Sequence, residues 1–229
     1  MTKSIDWPVL LTVRGTMIPK TLEEMRVVHN QTAGSPQGIA AARSLGDLSH
    51  MVYAPSLESK QSTAKAGELL FLDFWVHPKG IMDFFSNEQV VQQGAKLFSE
   101  RDATIWMRAE GSFSYHLPAP RGKVDRYIGL VRGAITSPEK AIDVFRSVDI
   151  NAQQDARRRG LLSHEVYIKL NAPGDSSPLE LLGVDYWNDF AGMTEHYNDH
   201  THMGGLSTAF SGRPTPTTWE QAPGQWSEW

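Results

Sequence analysis

Glu68-Leu69-Leu70-Phe71-Leu72-Asp73-Phe74-Trp75 returns 112 residues later as Glu180-Leu181-Leu182-Gly183-Val184-Asp185-Tyr186-Trp187. The glutamate, both leucines, the aspartate and the tryptophan keep their places, and Leu72/Val184 and Phe74/Tyr186 are conservative exchanges. Working outward, Leu48–Tyr53 matches Leu162–Tyr167 at an offset of 114, with Ala42-Arg43 and Gly46 matching Ala156-Arg157 and Gly160 just upstream. Val13-Arg14-Gly15 matches Val131-Arg132-Gly133 at 118, Phe98-Ser99 matches Phe210-Ser211 at 112, and Trp106 matches Trp219 at 113. Matches in collinear order, with small drifts that loops can absorb, mark a duplication. The chain reads as two tandem repeats, 1–118 and 119–229.

Within one copy, 9–15 reads as a strand closed by glycine, and Thr21-Leu22-Glu23-Glu24 is a capping box that starts a helix. That helix should break near Ala33–Pro36 and resume to Gly46. Strands follow at 48–54 and 68–76, a helix at 86–100 and a strand at 102–108. The second copy repeats the order: a strand at 126–134, a helix from Ser137-Pro138-Glu139, strands at 162–170 and 179–187, helical pieces over 189–210, and a strand near 216–221. The order β-α-β-β-α-β, twice, predicts an α+β chain of two ferredoxin-like repeats. Such a sheet carries helices on one face only, so the bare faces are expected to pack sheet to sheet, with a pocket between them.

The chain has 229 residues, 40% hydrophobic and 21% charged, with a net charge of −4, which is ordinary globular composition. No basic stripe suggests nucleic acid; Arg157-Arg158-Arg159 reads as cations at a helix end. There is no cysteine, which excludes disulfides and thiolate chemistry. No apolar run is long enough to span a membrane, and Met1–Asp6 lacks a signal-peptide core, so a cytoplasmic protein is expected. No phosphate-loop, dinucleotide or nucleophile-elbow signature is present.

Three groups of residues could carry chemistry. Arg14 and Arg132 lie on the first strand of each copy, and Asp73 and Asp185 on the third, which neighbours it; pairs Arg14–Asp73 and Arg132–Asp185 would hold the sheets together or bind an anionic substrate. His50 and His164 lie on second strands, each within reach of the same aspartate across the hairpin, either as structural histidines or as general bases. In the third group the copies differ: Phe84-Phe85 becomes His196-Tyr197, followed by Asp199, His200 and His202. Positions that differ can specialise, which points to the C-terminal half. His196 and His200 would share a helix face, but no third ligand completes a metal site. The terminal Trp226-Ser227-Glu228-Trp229 is expected to pack back onto the fold or onto a partner chain.

The element order, together with a helix that breaks at Tyr197-Asn198-Asp199-His200-Thr201-His202-Met203, resembles the dimeric α/β-barrel superfamily: the antibiotic-biosynthesis-monooxygenase-like, EthD-like and stress-responsive A/B-barrel families. The resemblance implies cofactor-independent monooxygenase, isomerase or decarboxylase-like chemistry on a small, often aromatic molecule. It also implies a haem-binding alternative and allows a homodimer. A non-catalytic binding or assembly module is the third alternative.

Overall fold

The computed structural model describes residues 8–60, 62–116, 127–172 and 174–229. The expected repeat boundary at 118/119 and the Met1–Asp6 segment lie outside them. The described residues form two compact units. The N-terminal unit comprises Met1–Pro55, Lys65–Met107 and Gln221–Trp229; the C-terminal unit comprises Ser56–Ala64 and Arg108–Glu220.

The N-terminal unit runs β1 (Val9–Met17), α1 (Leu22–Gln31), α2 (Pro36–Ser44), β2 (Asp47–Pro55), β3 (Glu68–Trp75), α3 (Pro78–Ser86), α4 (Glu88–Gly94) and β4 (Phe98–Arg108). Its strands are ordered β4-β1-β3-β2, the ferredoxin-like arrangement with β1 and β3 at the centre. The reciprocal capping box of Thr21 and Glu24 starts α1, and Ser35 with Pro36 restarts the chain as α2. The helix expected over 86–100 is only the short α4, preceded by the unexpected α3, because Asn87 caps α4 and Phe98 already belongs to β4.

The C-terminal unit runs β5 (Tyr115–His116), β6 (Tyr127–Ala134), α5 (Pro138–Arg158), β7 (Leu161–Lys169), β8 (Glu180–Trp187), α6 (Phe190–Tyr197), α7 (His200–Ser207) and β9 (Thr215–Gln221), with strand order β9-β6-β8-β7-β5. The first helical crossover here is one unbroken helix of 21 residues. Among the described residues no helix is long and apolar enough to cross a membrane.

Alternation along the strands sorts each sheet into two faces. In the N-terminal unit Val9, Leu11, Val13, Val52, Ala54, Phe71 and Trp75 join Met25, Ala42 and Ile81 in one buried cluster, so these positions face the helices. In the C-terminal unit Val131, Val166, Leu181 and Trp187 do the same with Phe145, Ala156 and Met193. Two equivalent glycines let the second crossover sit close. A Cβ on Gly80 would lie 2.0 Å from the Leu45 carbonyl oxygen, and one on Gly192 would lie 1.8 Å from that of Arg159. Backbone cannot move aside as a side-chain tip can, so Gly192→Ala is expected to cost about 1–3 kcal/mol of unfolding free energy in a urea titration.

Candidate active site

Asp73 sits opposite Leu11 in the β1–β3 ladder and opposite His50 in the β2–β3 ladder. Directly opposed residues share a face, so Asp73 and His50 both point toward the helices. His50 Nδ1 lies 2.6 Å from Asp73 Oδ1, and both residues are buried. The far side of the imidazole meets α1: His50 Nε2 is 3.0 Å from His29 Nε2, and the two rings stack.

Neighbouring backbone fixes the protons in this chain. Asn30 donates through Nδ2 to the Gln225 carbonyl (2.9 Å), and its Oδ1 accepts from the Ser227 N–H (3.0 Å). The amide is thereby oriented, so His29 Nδ1–H must be the donor to Asn30 Oδ1 (3.0 Å). Burial, helped by the neighbouring His50, pushes the His29 pKa down to about 4. A neutral His29 with its proton on Nδ1 leaves Nε2 bare, so His50 Nε2–H donates to it. His50 therefore carries protons on both nitrogens. Burial alone would depress its pKa; Asp73, Asp47 and Glu228 outweigh burial, and the net shift is upward.

These groups border a cavity of about 190 Å³ between the sheet and the helices of the N-terminal unit. Phe71, Trp75, Phe84, Phe85, Phe98 and Trp229 supply aromatic walls, and Gln89, Gln93 and Arg101 are among its polar lining. Trp229 stacks on His50, with ring centroids 4.7 Å apart. The terminal segment is held to β2 by backbone hydrogen bonds in both directions between His50 and Trp229, and by Val52 N–H donating to Glu228. Asp47 also lines the cavity. Burial, reinforced by the nearby Asp73 charge, raises its pKa to about 7. A carboxylate that titrates near neutrality inside an apolar cavity has the properties of a general base.

In the C-terminal unit the same frame is closed. His164 Nδ1 lies 2.6 Å from Asp185 Oδ1, repeating the first pair. Its Nε2, however, lies 2.9 Å from Asp149 on α5, where the other unit has His29. Burial is outweighed by the two carboxylates, and the His164 pKa rises to about 10. Tyr197 donates to Asp185 Oδ2 at 2.6 Å and lies over Gly129, the ladder partner of Asp185. Only about 20 Å³ of space remains.

Several expectations need correction. Arg14 does not meet Asp73, nor Arg132 Asp185. Arg14 lies on the face away from the helices, where the diagonal ladder neighbour Glu68 takes it at 2.8 Å; Arg132 likewise pairs with Glu180 at 2.5 Å. Leu11 and Arg14 are an odd number of residues apart, so Asp73, opposite Leu11, is on the wrong face. His196 and His200 do not share a helix, because Asp199 caps a new one after Tyr197. His196 instead meets His202, ring centroids 4.2 Å apart, and burial followed by His202 lowers the His196 pKa to about 4. Among the described residues no cluster of three or more such side chains could hold a metal. The cavity that borders the His50–Asp73 pair lies inside the N-terminal unit, on the helix side of its sheet; in the other half a more open space of about 310 Å³ is lined by His196, Asp199 and His202.

Sequence reasoning passed over His29 and Asp47. Asp47 faces Trp75 in its ladder as Leu161 faces Trp187, so the copies also differ here, in favour of the first. The same comparison at offset 114 would have found it.

No protein-family model matches the chain, and no curated protein does. Solved structures do. An anthrone oxidase-like protein is 13% identical with a TM-score of 0.64, over 95% of this chain and 92% of its own. A ferredoxin-fold protein related to antibiotic biosynthesis monooxygenases, from Listeria monocytogenes, is 11% identical with a TM-score of 0.50, over 98% and 100%. A chlorite dismutase variant from Candidatus Nitrospira defluvii is 11% identical with a TM-score of 0.51, over 93% and 92%. At these identities the likeness concerns the fold: the chain has an α+β, duplicated ferredoxin-like fold.

Proposed function

We propose that the chain is an acid–base enzyme acting on a small aromatic molecule in the N-terminal cavity, without a metal or organic cofactor. One observation carries the reading: a carboxylate that titrates near neutrality, Asp47, shares an aromatic-walled cavity with the buried His50–Asp73 pair. Asp47 takes a proton from an activated carbon of the substrate. The His50–Asp73 pair forms the polar floor that orients it, with His29 holding the far nitrogen of His50. The likeness to an anthrone oxidase-like protein supports an oxygenase version. There the carbanion left by proton removal adds dioxygen, giving a hydroperoxide that loses water to form a carbonyl. His164, Asp185 and His196 belong, in this reading, to a copy that keeps the fold and has closed its site. Arg14 and Arg132 act as ladder ion pairs.

Anthrone, a tricyclic ketone with one activated methylene and a phenolic enol tautomer, is the probe of choice in an oxygen electrode. Oxygen uptake is expected to rise with pH through about 7, as Asp47 loses its proton. His50→Phe should reduce it at least ~100-fold, the scale of a lost acid–base element. Uptake by the His50→Phe protein equal to that of the parent would refute the assignment.

Haem in this cavity would require an imidazole nitrogen able to bind iron. All four ring nitrogens of His29 and His50 are in hydrogen bonds. The cavity of about 190 Å³ is also smaller than common ligand pockets of roughly 300–1,000 Å³. The cavity residues do not fit that group. Purified protein mixed with haem is expected to show no Soret band beyond that of free haem.

A further inference from the structure

The two units differ in what reaches the second oxygen of the ladder aspartate. In the C-terminal unit the Tyr197 hydroxyl donates to Asp185 Oδ2 at 2.6 Å. Burial and Asp185 push the Tyr197 pKa well up. A phenol thus sits on the free carboxylate oxygen, while the Trp187 Nε1 is left without a hydrogen-bond partner. In the N-terminal unit the matching residue on α3 is Phe85, which has no hydroxyl; the glycines Gly80 and Gly192, both against a backbone carbonyl, anchor that equivalence. Among the described residues Asp73 makes its only side-chain hydrogen bond through Oδ1, to His50. Trp75 is 1% exposed, and its Nε1 has no hydrogen-bond partner. Both residues line the cavity. An indole N–H buried without an acceptor is costly, and a carboxylate oxygen facing apolar walls invites a donor.

We propose that the N-terminal cavity binds a phenol, whose hydroxyl donates to Asp73 Oδ2, as Tyr197 does to Asp185 in the other unit, and accepts from the unpartnered Trp75 Nε1. The inference rests on the cavity assigned above, but on its binding and not on its catalysis. It narrows the substrate class from small aromatics to hydroxyaromatics. Leu11 stands where Gly129 leaves room for Tyr197, so the ligand's oxygen must lie on the cavity side of the Tyr197 position. The aromatic walls take the ring face.

The experiment is calorimetric titration of the full chain with 1-naphthol and with naphthalene, which differ by that one hydroxyl. Naphthol is expected to bind one per chain and at least ~10-fold more tightly than naphthalene, the difference expected of a hydroxyl meeting buried polar partners. Trp75→Phe should remove much of the preference. Asp73→Asn should remove it too, and circular dichroism will show whether that variant keeps its fold. Tyr197→Phe should leave stoichiometry and affinity unchanged. Equal affinity for naphthol and naphthalene, or a preference that survives both Trp75→Phe and a folded Asp73→Asn, would overturn the proposal. Naphthol binding that obeys these rules in a protein with no oxygen uptake would uphold it while sinking the catalytic reading.

Discussion

Asp47→Asn is expected to lose oxygen uptake by at least ~100-fold and, at pH 8, to unfold at a higher temperature than the parent protein. Both effects follow from one burial. The Asp47 carboxyl is 6% exposed and holds its proton up to about pH 7, against an ordinary value of 3.8. The folded state thus binds this proton more tightly than the unfolded state does. Its contribution to stability is complete below about pH 3.8 and is lost as pH rises through 7. Above that the native protein carries a partly desolvated charge, at a cost on the order of 2 kcal/mol once residual solvent screening is allowed for. Asparagine keeps the shape and removes the charge. Calorimetric melting at pH 4 and pH 8 checks this: the variant's advantage should be present at pH 8 and absent at pH 4. An advantage of the same size at both values would mean that Asp47 does not titrate as described. A gain in stability with a loss of turnover is the usual signature of a functional group held in an unfavourable setting.

Asp149→Ala should have the largest effect on stability, with a loss of about 3–5 kcal/mol in urea unfolding, because it removes one partner from a buried ionic group. Asp149, His164 and Asp185 are each less than a tenth exposed. The imidazolium between the two carboxylates depends on both. Asp149→His is expected to be milder, since the N-terminal unit already holds a histidine against His50 at 3.0 Å in the corresponding place. The pH dependence is distinctive. His164 is raised to about 10, so its contribution is complete below about 6.5 and is lost as pH rises through 10. Asp185 is lowered, chiefly because His164 outweighs its burial, so its contribution is lost as pH falls through its depressed value. Between pH 7 and 10 the parent protein should therefore lose stability steadily, and His164→Gln should flatten that slope. A parent protein with no such slope would show that the charge on His164 is not what stabilises it.

The duplicated octapeptide was enough to establish the repeat, and the repeat with its strand and helix signals was enough to establish the ferredoxin-like order. Strand adjacency then followed from that order, which is why His50–Asp73 and His164–Asp185 could be anticipated: second and third strands of such a unit are hydrogen-bonded neighbours. The arginines were misread because adjacency does not say which residues share a face. That depends on ladder register, and a shift by one residue reverses the answer. Register sends Asp73 toward the helices with Leu11 and leaves Arg14 to Glu68 on the other side. Divergence between the copies was a sound guide applied at one place only. It flagged His196-Tyr197, whose tyrosine takes the second oxygen of Asp185, and was not applied to Asp47 against Leu161.

Sequence by itself determined local and ladder-level properties: the duplication, the element order, the capped helix starts, and the pairing of each strand histidine with an aspartate across a hairpin. These depend on short-range periodicity and on a topology that few alternatives satisfy. Only the tertiary structure decided which partner meets the far nitrogen of each histidine, where the cavity opens, and how the terminal tryptophan stacks. Those outcomes depend on how α1 and α5 are rotated against their sheets and on side-chain volumes at opposed positions such as Leu11 and Gly129. No linear spacing encodes them, because packing is a property of surfaces brought together from distant parts of the chain.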